Sequence, residues 1–166
     1  MELLVRASTF EAMADANFKV KRAIRGAAAA MGAEVEMDEL GGYMPYYPNE
    51  QLEQLVGENA ASLLGPDALS QERSYIGCST DAGDVSMLKP IAQPMLSGFR
   101  GDLHTTIFDA TDDYMAYVVP AKVNALAAVD LLYGHAKQGR EICADYRPKF
   151  QSKEEYVAAW EKFFEL

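Results

Sequence analysis

The chain has 166 residues and a formal net charge of −10, with hydrophobic residues at 49% and charged ones at 24%. That usage argues against a disordered chain, and the acidic excess disfavours binding to nucleic-acid phosphates, which needs clustered Lys and Arg. No apolar run approaches the ~20 residues of a membrane span, and Cys78 and Cys143 make no disulfide framework, so the expectation is a cytoplasmic protein with no membrane partner.

The first expected element is a strand, Glu2–Ala7, with no leader before it. Ser8 and Glu11 have the S-x-x-E spacing of a capping box and should start a helix. Phe10, Met13, Ala14, Val20, Ile24, Ala27, Ala28 and Met31 recur within that helix at roughly helical spacing, and Gly32 is placed to end it in a left-handed cap. Residues Glu34–Leu40 alternate polar and apolar, the sign of a half-buried strand. Residues 1–47 therefore read as strand–helix–strand.

Gly41-Gly42, Pro45 and Pro48 mark a break. Asn49 caps the next predicted helix, which carries Leu52, Leu55, Val56, Leu63 and Leu64 and stops at Gly65-Pro66. Tyr75–Cys78 reads as a short buried strand, and Ile91–Met95 as another that Pro90 and Pro94 confine to an edge. The longest helix is expected from about Asp112 to His135, with Pro120 near its start or kinking it. Ser152 and Glu155 make a second capping box, and Tyr156, Trp160, Phe163 and Phe164 share one face of the last helix.

The chemistry-bearing residues gather between Gly77 and His104. Asp81, Asp84, Asp102 and His104 are carboxylates and an imidazole, the usual ligands of zinc or manganese. Loop Asp residues equally serve as turn and cap acceptors, so spacing alone leaves both readings open. His135, after Gly134 at a predicted helix end, reads as a helix-dipole partner. Cys78, with no nearby His in sequence to activate it, reads as a buried, inert thiol.

The stretch Gly77-Cys-Ser-Thr-Asp-Ala-Gly-Asp-Val-Ser86, the later His104 behind Gly101-Asp102, and the apolar helix opened by Pro120-Ala121-Lys122 together resemble the C-terminal end of a family of zinc-dependent amidohydrolases and carboxypeptidases. That family includes aminoacylases, indole-acetyl-amino-acid hydrolases and p-aminobenzoyl-glutamate hydrolases. The resemblance implies an α/β fold. Residues 1–48 would form part of a strand–helix–strand lid or dimerisation domain, and residues 49–166 the C-terminal part of a three-layer catalytic domain. It implies that His104 is the last metal ligand of a dinuclear zinc or manganese centre, close to a pocket floor shaped by Thr80 and Asp81. Arg6 would grip the substrate carboxylate, for which a guanidinium fork is suited; a solvated edge-strand charge is the other reading.

The substrate implied is an amide joining an acyl or aryl group to an amino acid. The His, bridging Asp, catalytic Glu and further acidic ligands that relatives draw from their N-terminal half are absent from this sequence. A two-metal hydrolase needs that set. The chain alone is therefore expected to be inactive and to bind metal weakly at best, either as a fragment or as one half awaiting a partner. From another functional class, a standalone non-catalytic α/β module that self-associates through its strands, a homo-oligomer, is the competing expectation.

Overall fold

The computed structural model describes residues 1–70 and 79–165. Five α-helices dominate them: α1 (Phe10–Ala30), α2 (Glu50–Leu64), α3 (Asp81–Ser86), α4 (Val119–Asp145) and α5 (Lys153–Glu165). The only pairing of strands among the described residues is antiparallel and two residues long on each side, β1 (Phe99–Arg100) with β2 (Asp109–Ala110). The expected α/β three-layer architecture is therefore overturned, and with it the strand–helix–strand lid.

The physical reasons are local. The residues from Glu2 to Ala7 have no partner strand among the described residues; Arg6 bonds instead to Ser79, and Ala7 packs against an aromatic cluster. Alternation in Glu34–Leu40 describes one face but supplies no neighbour. Glu39 is held by Lys21 at 2.7 Å and by Asn17 at 3.3 Å, both on α1. Burial pushes the Glu39 carboxyl upward, yet the bonds from Lys21 and Asn17 prevail and hold it below its ordinary value. Around Ile91–Met95, where Pro90 and Pro94 lack donors, the Ile91 carbonyl accepts from Asn49 N–H at 2.9 Å and no strand forms. The strand expected at Tyr75–Cys78 lies outside the described residues.

Within these bounds the chain forms two compact units, each discontinuous in sequence. The first combines residues 1–47, 79–89 and 148–165. α1 is capped by Thr9, whose hydroxyl accepts from Ala12 N–H at 3.1 Å, one residue beyond the expected Ser8. Gly32 (φ 65°) closes it with Ala33 N–H to Ala28 O, as a left-handed cap requires. Ser152 accepts from Glu155 N–H to start α5, while Glu155 reaches back to Gln151 N–H. The core joins Met13, Met44, Met87, Phe150 and Phe163, flanked by Phe10, Tyr156 and Trp160. Phe10 packs edge-on to Phe150, and Trp160 edge-on to Phe163, geometries that aromatic quadrupoles favour. The side chain of Phe164 lies outside those described.

The second unit combines residues 48–70 and 90–147. Asn49 caps α2 through Leu52 N–H at 2.9 Å, and Gly65 (φ 89°) ends it. Leu55, Val56 and Ala60 of α2 pack on Val119, Val123 and Ala127 of α4, whose four-residue spacing places them on one stripe. Asn59–Asp130 (2.9 Å) and Gln51–Asp145 (3.3 Å) fasten the same helices. A π-helical turn, Tyr114–Val118, leads into α4, and Pro120 sits in its first turn. Residues Tyr114–Asp145 form one helix long and apolar enough, by length and composition, to cross a membrane. It is interrupted: Tyr133 is extended and Gly134, His135 and Ala136 are all left-handed, so α4 folds back on itself. Gly139 permits the return, since a Cβ there would lie 2.8 Å from the Leu131 carbonyl oxygen.

Candidate functional site

In the first unit, a short turn places the polar residues singled out by sequence. Thr80 is extended (φ −138°, ψ 167°) and caps α3 by accepting from Ala82 N–H at 3.3 Å. Asp81, the first residue of α3, is exposed. Arg6 Nε donates to Ser79 Oγ at 3.1 Å, joining segments 73 residues apart in sequence. This is the arginine's hydrogen bond among the described residues, and it leaves both terminal nitrogens of the exposed guanidinium without a hydrogen bond there. Arg6, Thr80 and Asp81 are thus brought to one place.

The turn rests on a polar frame beneath it. Asp84 Oδ1 accepts from Tyr156 Oη at 2.6 Å and from Met44 N–H at 3.2 Å, while Trp160 Nε1 donates to Tyr156 Oη at 2.8 Å. Burial, then the bond to Asp84, pushes the Tyr156 hydroxyl up to about 12. Ser86 Oγ accepts from Tyr47 N–H at 3.1 Å and donates to the Gly83 carbonyl, and the Tyr47 hydroxyl accepts from Phe10 N–H. Gly83 is required for the close approach: a Cβ there would meet the Met44 carbonyl oxygen at 1.9 Å. α3 is therefore clamped between the residue 44–47 segment and α5, and the Ser79–Asp81 turn is held at its mouth.

His104 belongs to the other unit. It lies in the loop joining β1 to β2, exposed, with a left-handed backbone (φ 64°). Asp102 shares the loop, and its carbonyl accepts from Thr105 N–H and from Thr105 Oγ1. His135 lies, as expected, just after Gly134 where the first stretch of α4 ends, and it is the second left-handed residue of that break. Cys143 is an exposed free thiol of α4; Cys78 lies outside the described residues. Among the described residues no group of three or more His, Cys, Asp and Glu is placed to hold a metal ion. The donors present do not fit a two-metal centre.

The sequence marks Asp84 as either a ligand or a turn acceptor, and Tyr156 and Trp160 as residues of one aromatic face. Their joint role as the frame under the turn was not foreseen. The i, i+4 spacing of Tyr156 and Trp160 was the available signal for one shared face, but nothing local announced Asp84 as their acceptor. No family model, curated protein or solved structure matches this chain.

Proposed function

We propose that this chain carries the substrate-carboxylate recognition element of a metal-dependent amidohydrolase acting on N-acyl or N-aroyl amino acids, p-aminobenzoyl-glutamate among them. It binds such amides without turning them over. The observation that supports this reading most is the Arg6–Ser79 bond. It sets a guanidinium beside the Ser79-Thr80-Asp81 turn while leaving the two terminal nitrogens free for a bidentate carboxylate. Asp81, exposed on the same turn, is placed to accept from an N–H of the bound amide or to discriminate against a second anionic group.

The zinc or manganese of such an enzyme would supply Lewis-acid polarisation of the amide carbonyl and an acidified water. The described donors do not make such a centre, so its ligands and a proton-shuttling Glu would come from residues outside this sequence. The chain's own contribution is to bind and orient the carboxylate end. Titrating the isotopically labelled protein with p-aminobenzoyl-glutamate tests the reading: saturable shifts of the Ser79, Thr80 and Asp81 amides are expected, and they should vanish in Arg6→Ala. Shifts of equal size in Arg6→Ala, or none at millimolar ligand, would overturn it.

A further inference from the structure

The fold-back of α4 encloses a groove of about 410 Å³ in the second unit, within the size range of small-molecule sites. Leu52, Leu131, Ala136 and Ile142 form its apolar walls, with Cys143 on the lining. Arg140 is the one charged residue that lines it, and it makes no hydrogen bond or ion pair among the described residues. Three acidic groups of the same helices are engaged away from its lining. Glu141 and Glu58 line a separate hollow with Gln51 and Gln138, Glu141 lies 3.8 Å from Lys137, and Asp145 accepts from Gln51.

The groove also depends on an unusual backbone. His135 and Ala136 hold left-handed angles that side chains with a Cβ avoid, at φ 62° and 56°. Such strain persists where surrounding structure enforces it, and it concentrates at ligand clamps and switch regions. Here the three left-handed residues turn the chain so that Gly139 meets Leu131 and Arg140 is delivered to the groove's rim.

We infer that this groove binds an amphipathic monocarboxylate, an alkyl or aryl body in the apolar slot with its carboxylate on Arg140. An apolar wall carrying a single guanidinium complements an apolar body with one anionic end, and a carboxylate matches the planar fork. A neutral alcohol would leave the cation unmatched, and an amine would be repelled. The inference concerns the second unit and stands independently of the Arg6 site.

Cys143 supplies the readout. The probe is octanoate, with octanol and octylamine as charge controls, added to the full chain. The rate of Cys143 alkylation by iodoacetamide is followed by peptide mass spectrometry, which separates it from Cys78. Octanoate should slow alkylation about tenfold once present at roughly ten times its dissociation constant, and octylamine should not. Arg140→Gln, at an exposed position, should weaken binding about tenfold and so cut protection at the same octanoate concentration to about twofold, and Arg140→Lys should recover part of it. Equal protection by octanol and octanoate, protection unchanged in Arg140→Gln, or no protection by octanoate would each overturn the assignment. The comparison of the three probes on the unsubstituted protein holds even if a variant is poorly folded.

Discussion

Replacing Gly83 by Ala tests the clamp that holds the recognition turn. A Cβ at this position would stand 1.9 Å from the Met44 carbonyl oxygen, 2.9 Å from its carbon and 3.4 Å from the Pro45 carbonyl carbon. All of these are backbone atoms, so no side chain can swing aside. Carbon–oxygen contact begins at about 3.3 Å, so the 44–45 backbone must retreat by roughly 1.4 Å. Overpacking of this kind costs about 1–3 kcal/mol. The retreat would also stretch the Met44 N–H bond to Asp84, worth about 1 kcal/mol more. Helix propensity acts in the opposite sense, favouring Ala over Gly by about 1 kcal/mol. The net expectation is a loss of about 1–3 kcal/mol. Trp160 is the single tryptophan and belongs to the same unit, so its fluorescence during urea unfolding reports this unit directly. The midpoint should fall by roughly 1 M, given slopes of about 1–3 kcal/mol per molar. A midpoint that is unchanged or raised would mean that propensity alone operates, and would refute the close packing of α3 on Met44.

Tyr156→Phe removes the hydroxyl that links Asp84 to Trp160 and should cost about 1–2 kcal/mol by the same fluorescence assay. Its pH dependence has a definite sign. The folded Tyr156 is held at about 12 against an ordinary 10.0, so its contribution is complete below about pH 10 and is lost as pH rises toward 12. The wild type should therefore lose more stability than Tyr156→Phe over that window; parallel curves would count against the Asp84 bond. Lys21→Ala leaves Glu39 with the Asn17 bond and the charge of Arg25 and should cost about 1–2 kcal/mol, discounted from the buried-pair figure because Glu39 is partly exposed. Circular dichroism should show α1 retained, whereas a gain of β signal would revive a strand at Glu34–Leu40. We also expect self-association at high concentration through the exposed Val129, Leu132 and Tyr133 of α4, checked by light scattering; a strictly monomeric mass would exclude it.

Helix ends were legible because their signals are local. Asn49 caps α2 and Ser152 caps α5, while Gly32 and Gly65 take the positive φ that ends α1 and α2. Even so, Thr9 displaced Ser8 as the α1 cap, a one-residue shift between neighbouring hydroxyl residues. The strands failed for a different reason. Alternation at Glu34–Leu40 needs a partner strand to become a sheet, and here Lys21 and Asn17 capture Glu39 instead. Pro120 marked the start of α4 and the expected end near His135 falls at its break, but the return of helix beyond Ala136 and the left-handed His135 and Ala136 gave no local sign. Arg6 and Thr80 were each visible as candidates. Their proximity through Ser79 was not, because only tertiary structure joins positions so far apart in sequence.

The most direct test of the recognition claim compares p-aminobenzoyl-glutamate with the same compound carrying an amide in place of its α-carboxylate. Calorimetry on the wild type and on Arg6→Ala measures the preference for the carboxylate in each. Loss of a charge-assisted fork is worth about a factor of ten at an exposed site. The wild type should therefore prefer the carboxylate by about that factor, and Arg6→Ala should show no preference. A wild type indifferent to the carboxylate, or a preference equally strong in Arg6→Ala, would contradict the assignment of Arg6 and of the turn it serves.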